Sequence, residues 1–254
     1  MKTLRDAGAA FRQCLRKDMR NARFVCAVLV TAVLCLSTMG YMDGDQRAYS
    51  VLELFLYRPQ GAAGLTSGEL FEMGLGHYVA LFIPLVTALP FSHVFCMELA
   101  SGAYRLSLCR CGHRAYWTGQ FLAAAVTGGG CTALGYGLYG LVVWAAFPSG
   151  GETAALQALA AAFLYGMFST VTALAFTVFF RNPYLVCCLP FIYNYMKDSF
   201  LRRMPASWGI LRVSAVMRAA YDPVDGLPGL LLHLTVGICG AVLFVAVFSR
   251  TERR

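Results

Sequence analysis

Charge is scarce in this chain, and its distribution is more telling than its amount. Asp, Glu, Lys and Arg make up 13% of the 254 residues, about half the ~25% usual in a soluble globular domain. Polar groups could not cover a water-facing surface at that density. No charge falls between Arg23 and Asp43, Glu72 and Glu98, Arg114 and Glu152, Glu152 and Arg181, Arg181 and Lys197, or Asp225 and Arg250, stretches of 19, 25, 37, 28, 15 and 24 residues. Ionisable groups deep inside such stretches would mark a proton or ion path. They are missing here: Glu98 closes the second stretch, and Lys197 and Asp198 close the fifth. This argues against a proton-coupled carrier and against an intramembrane enzyme with an acid/base pair.

Other signatures are lacking too. Gly128-Gly129-Gly130 has no following Gly-Lys-Ser/Thr, so there is no phosphate-binding loop. The four histidines form no HExxH, and His93 and Glu98 are five apart, off the i, i+4 helix face. Cys109-Arg110-Cys111-Gly112-His113 offers three soft ligands without a fourth, in a spacing weaker than CxxC for zinc. No cofactor, metal or catalytic residue is expected. The net charge of +8 does not point to nucleic acid, because no soluble domain presents a basic face; cytoplasmic flanks facing anionic lipid account for it. Residues 1–23 are too long and polar a leader for a cleaved signal peptide.

What is present are long apolar runs rich in Ala, Leu, Val and Phe. A helix needs roughly 20 apolar residues to cross about 30 Å of hydrocarbon. Continuous apolarity excludes the alternating strands of a barrel, and a helix satisfies its own backbone groups in lipid. The expected fold is an all-α integral membrane protein of one domain, 1–254, with six spans at about 24–41, 76–97, 116–143, 154–180, 184–197 and 228–249. The fifth is short and holds Pro183 and Pro190; without it the tail would face outward. With both termini cytoplasmic in a cell inner or plasma membrane, 14 of the 21 Lys and Arg lie inside, as the positive-inside rule asks. None of the ten cysteines then falls in an outer loop, which suits reduced thiols acting as small apolar residues.

The segments between spans carry their own patterns. Residues 1–23 place Phe11, Cys14, Leu15 and Met19 near one face, the layout of an interfacial helix; a plain basic flank is the other reading. The outer segment 42–75 holds an apolar stretch, Tyr49–Tyr57, then a second short helix capped at Thr66 or Ser67 with Glu69 in its first turn. Pro84 and Pro90 are expected kinks in span two. The glycines of span three, Gly128 to Gly140, allow close helix approach or mobility. Residues 198–228 are amphipathic and predict short outer-face helices before span six. The polar 98–115 connection has room for a short helix.

That connection carries a resemblance. Phe95-Cys-Met-Glu98-Leu-Ala-Ser101-Gly102-Ala-Tyr104-Arg105-Leu-Ser-Leu, followed by Arg114-Ala-Tyr116-Trp, resembles the membrane subunits of ABC-2-type transporters. Those permeases show a Glu, a Ser-Gly pair, an apolar-basic stretch, then a basic residue entering span three. Leu15–Phe24 is similar to their connecting helix, and Ser50–Tyr57 to the outer segment of some bacterial members. The family's usual Pro before the Arg is replaced by Cys111-Gly112-His113, which leaves the end of the coupling helix open. The resemblance implies a permease without its own ATPase, working with a second permease subunit, membrane lipids and an ABC ATP-binding subunit. The ATP-binding subunit would dock on a cytoplasmic coupling helix, with Glu98, Ser101, Gly102, Tyr104, Arg105 and Arg114 at the joint. Its expected cargo, on the apolar and aromatic character of the spans, is a lipid, peptide or amphipathic compound. The alternative is a non-transporting membrane scaffold or assembly factor.

Overall fold

The structure, a computed structural model, describes residues 2–42, 48–57, 64–74, 76–148, 150, 152–177, 179–180, 182–205 and a set of helical residues between 229 and 246. In chain order the elements are α1 (Lys2–Met19), α2 (Ala22–Leu36), β1 (Met39–Met42), β2 (Ala48–Ser50), α3 (Val51–Tyr57), α4 (Ser67–Met73), α5 (His77–Ser101), α6 (Tyr104–Cys111), α7 (His113–Ala146), α8 (Glu152–Thr177) and α9 (Pro183–Leu201). Three helices, Tyr78–Ser101, His113–Ala146 and Ala155–Thr177, are long and apolar enough to cross a membrane. The α1–α2 pair, bent by 64°, makes a fourth if counted as one span. Of the segment 198–228, where outer-face helices are expected, 198–201 belong to α9 and 206–228 lie outside the described residues, as does half of the sixth span.

One boundary needs correction: the first span is expected at 24–41, but α2 stops at Leu36. At 1.5 Å per residue its 15 residues reach about 22 Å, short of the ~30 Å of hydrocarbon. Ser37 and Thr38 end it: both hydroxyls donate to the Leu34 carbonyl, at 2.9 and 3.1 Å, competing with continuation of the helix. The chain then enters β1, which pairs antiparallel with β2, one small hairpin in a fold that is otherwise helical, as an all-α membrane protein is expected to be. The fifth expected span, 184–197, falls within α9, which runs on through Pro190 to Leu201. Its second half carries Asn194, Lys197 and Asp198, and among the described residues it is not one of the helices apolar enough to cross.

Helix α7 is the mast of the molecule. Its 34 residues extend about 51 Å, well beyond a hydrocarbon core, and its glycines seat its neighbours. A Cβ on Gly119 would come within 2.8 Å of the Phe11 amide of α1, and one on Gly135 within 2.5 Å of Thr31 of α2. On Gly128 it would fall inside Thr170 of α8, on Gly129 within 2.7 Å of Met167 of α8, and on Gly140 within 2.7 Å of Phe71 of α4. Gly130 meets nothing within 4 Å. Without side chains at these seats the backbones approach closely, the usual device of membrane helix packing.

The two ends of α7 differ. At one end α1 and α6 pack around it. At the other, α3 and α4 join the ends of α7 and α8 in the largest apolar core, built on Val51, Leu54, Leu70, Phe71, Tyr136, Val143 and Ala155. Both short helices begin with reciprocal caps. The Thr66 hydroxyl accepts from the Glu69 amide while Glu69 accepts from the Thr66 amide; Ser50 and Glu53 do the same for α3. Tyr136 and Tyr139 then fasten α4 to α7 by donating to the Phe71 and Leu70 carbonyls.

Helix α5 carries Pro84 and Pro90 in its interior. Proline lacks the amide that would bond residue i−4, so Pro84 leaves the Ala80 carbonyl unsatisfied within α5. The Tyr165 hydroxyl of α8 donates to that carbonyl at 2.8 Å, the kind of neighbouring-helix repair that makes proline tolerable in an apolar bundle.

Candidate docking site at the α6 end

The 98–115 connection holds one short helix, α6. Helix α5 ends at Ser101, whose hydroxyl donates to the Glu98 carbonyl at 3.3 Å. Gly102 follows in the left-handed region at φ 72°, and Gly112 closes α6 at φ 76°, ψ 153°. Side chains rarely adopt either conformation, and the second is essentially reserved for glycine. Two glycine joints therefore isolate an eight-residue helix between the long helices α5 and α7.

Helix α6 is two-faced. Tyr104, Ser107, Leu108 and Cys111 are half-buried, at the i, i+3, i+4, i+7 spacing of one helix face. Tyr104 and Leu108 pack on a cluster of Phe91, Phe95, Tyr116 and Trp117. Trp117, fully buried, is its hub, with ring centroids of Tyr116, Tyr104 and Phe95 at 5.0, 6.0 and 6.1 Å. The opposite face, Arg105, Leu106, Cys109 and Arg110, is exposed, and Leu106 keeps 73% of its surface open. Cys109 and Cys111 thus lie on different faces of α6. Among the described residues no three His, Cys, Asp or Glu side chains gather as a metal site.

Helix α1 braces this joint. Lys17 forms an ion pair with Glu98, on the last turns of α1 and α5. Ala10, Cys14, Lys17, Glu98, Ser107 and Cys111 line one narrow cleft between α1, α5 and α6. Burial pushes the Cys14 thiol up to about 12, aided by the nearby Asp18 and Glu98 charges. Burial likewise raises the Asp18 carboxyl to about 7; Lys17 opposes the shift and Glu98 adds to it. One Asp18 carboxylate oxygen is buried with no hydrogen-bond partner among the described residues.

Of the six residues singled out from the sequence, Glu98, Ser101 and Gly102 meet at the α5 terminus, and Tyr104 anchors α6. Arg105 and Arg114 are exposed, and neither forms an ion pair among the described residues. Lys17 and Trp117 were missed. Lys17 sits in a basic run that the orientation rule already explains, and Trp117 reads as one more aromatic in an apolar span. No family model matches the chain, and no curated protein sequence matches it.

Proposed function

We propose that this chain is the membrane-spanning subunit of an ATP-driven transporter of the ABC-2 type, powered through α6 by a separate ATP-binding subunit. The observation that carries the reading is the two-faced helix α6. One face is packed on the Trp117 cluster, and the other presents Leu106 between Arg105 and Arg110. A short rigid piece hinged by glycines between two long helices is a suitable lever: force on its outer face is delivered to α5 and α7 together. The Lys17–Glu98 pair ties α1 to the same joint, so α1 would move with it. The scarcity of charge along α5, α7 and α8 is consistent with work borrowed from a partner.

In this reading the α6 end is cytoplasmic and the hairpin, α3 and α4 lie outside. The segment around Gly237 and Gly240 runs beside Phe168 and Ala175 of α8 and in the same sense as it, which is consistent with both ending on the cytoplasmic side. The test is purification of the tagged chain from its native membrane in mild detergent. ATPase activity should co-elute, and Arg105→Glu should remove it without changing yield or melting temperature. Purification without any ATPase, or an unchanged Arg105→Glu complex, would overturn the reading.

A further inference from the structure

A cavity of about 260 Å³ opens between α8, α9 and the helical residues between 229 and 246, lined by Tyr165, Ser169, Asn194, Lys197, Leu232 and Val236 among others. An apolar cavity of about 150 Å³ stays dry and accepts benzene. This one is larger, and its wall is mixed. Asn194 is 6% exposed and Ser169 4%. The Ser169 hydroxyl is buried beside the Tyr165 hydroxyl, whose own proton goes to the Ala80 carbonyl, and the Asn194 amide makes no hydrogen bond among the described residues. Buried polar groups are normally paired, because an unmade bond forfeits what water supplied. Two of them lining one hollow indicate a place completed by something that enters it.

The same wall carries a cation. Lys197 Nζ sits 5.6 Å from the centre of the Tyr193 ring. The neighbouring carboxylate, Asp198, is buried and accepts from Arg202 Nε at 3.0 Å. Phe168, Leu232 and Val236 supply the apolar remainder of the wall.

We infer that this cavity binds an anionic amphiphile, a carboxylate or phosphate head on a single apolar body. The head meets the Lys197 ammonium, the Asn194 amide and the Ser169 hydroxyl, all donors, while the body lies along Phe168, Leu232 and Val236. The inference concerns binding alone. It needs no ATP-binding partner, so it stands or falls separately from the transport reading.

The test is photolabelling of the purified full chain, in nanodiscs of zwitterionic phosphatidylcholine, with a diazirine-bearing decanoate. Label is expected on peptides covering 165–172 and 193–201. Decanoate or decyl phosphate should displace it and decanol should not; the stronger competitor identifies the head group. Lys197→Met should cut labelling by about tenfold, the loss of one charge-assisted bond, and Lys197→Arg should retain it. Ser169→Phe, which fills the cavity and keeps the charge, should lower labelling at an unchanged melting temperature. Decanol competing as well as decanoate, or full labelling of both Lys197→Met and Ser169→Phe, would overturn the inference.

Discussion

At the scale of single residues, the glycine run Gly128-Gly129-Gly130 separates two roles that composition cannot distinguish. Crowded glycines in an apolar span fit either close packing or mobility. The structure assigns Gly128 and Gly129 to packing against α8 and leaves open space around Gly130. Gly128→Ala should therefore overpack the α7–α8 contact and cost about 1–3 kcal/mol. Gly130→Ala, two positions on, should be neutral or stabilise by up to about 1 kcal/mol, because it removes backbone freedom from a helix without a clash. Thermal melts of the two variants in one detergent check this; equal effects would mean that α7 and α8 do not meet at Gly128. Asp18 gives a second residue-scale expectation. Burial pushes its carboxyl up from the ordinary 3.8 to about 7 in the folded chain. Between those values the folded chain holds a proton that the unfolded chain has lost, so stability falls as pH rises through this window. Above the folded value both forms are ionised and the full penalty persists. Asp18→Asn should raise the melting temperature at pH 8, and the gain should vanish near pH 4. Cys14, Lys17 and Glu98 share that joint, with Arg20 and Arg23 following in sequence, so the comparison is best made at constant ionic strength.

At the scale of elements, the joints of α6 matter more than its interior. A Cβ at Gly102 or Gly112 would meet no atom within 4 Å, so any cost of substitution comes from the backbone. Gly102, at φ 72° and ψ 6°, occupies the left-handed region that Asn tolerates. Gly112, at ψ 153°, lies where only glycine is comfortable. Gly102→Asn should be nearly silent, while Gly112→Ala should cost about 1–3 kcal/mol, read from the melting temperatures. The same elements show what a sequence discloses. The capping pattern at Thr66 and Glu69 announces α4, because a helix start is a local affair of one turn. The polar break at 98–115 announces a connection with room for α6. The end of α2 is not announced, because Ser37 to Met42 remains uncharged and the competing hydroxyls matter only once the helix exists. Pro84 is visible in the sequence, but the Tyr165 hydroxyl that satisfies Ala80 comes from a helix far along the chain. Lys17 and Glu98, 81 residues apart, likewise leave no periodic trace. Glu98 was legible as half of a joint, and its partner was not.

At the scale of the whole molecule, the question is which end of α7 faces the cytoplasm. The basic face of α6, with α1 braced against it, occupies one end, and the capped short helices occupy the other. Helices α5 and α7 join through α6, and both are long and apolar enough to cross a membrane. The proposed function puts α6 in the cytoplasm, the orientation the positive-inside rule favours, since Arg105, Arg110 and Arg114 flank that end. Two thiol positions read this out. Cys109 is exposed on α6. Gly64, exposed beside α4 with nothing within 4 Å of a Cβ, accepts a cysteine without a clash. A membrane-impermeant maleimide should label Cys109 in inverted vesicles but not in intact cells, with Cys109→Ser as the control that assigns the signal. Gly64→Cys should label in intact cells. Reversal of both would invert the molecule and place α6 beyond the reach of a cytoplasmic ATPase. Labelling of both from one side would mean that α5 does not cross at all.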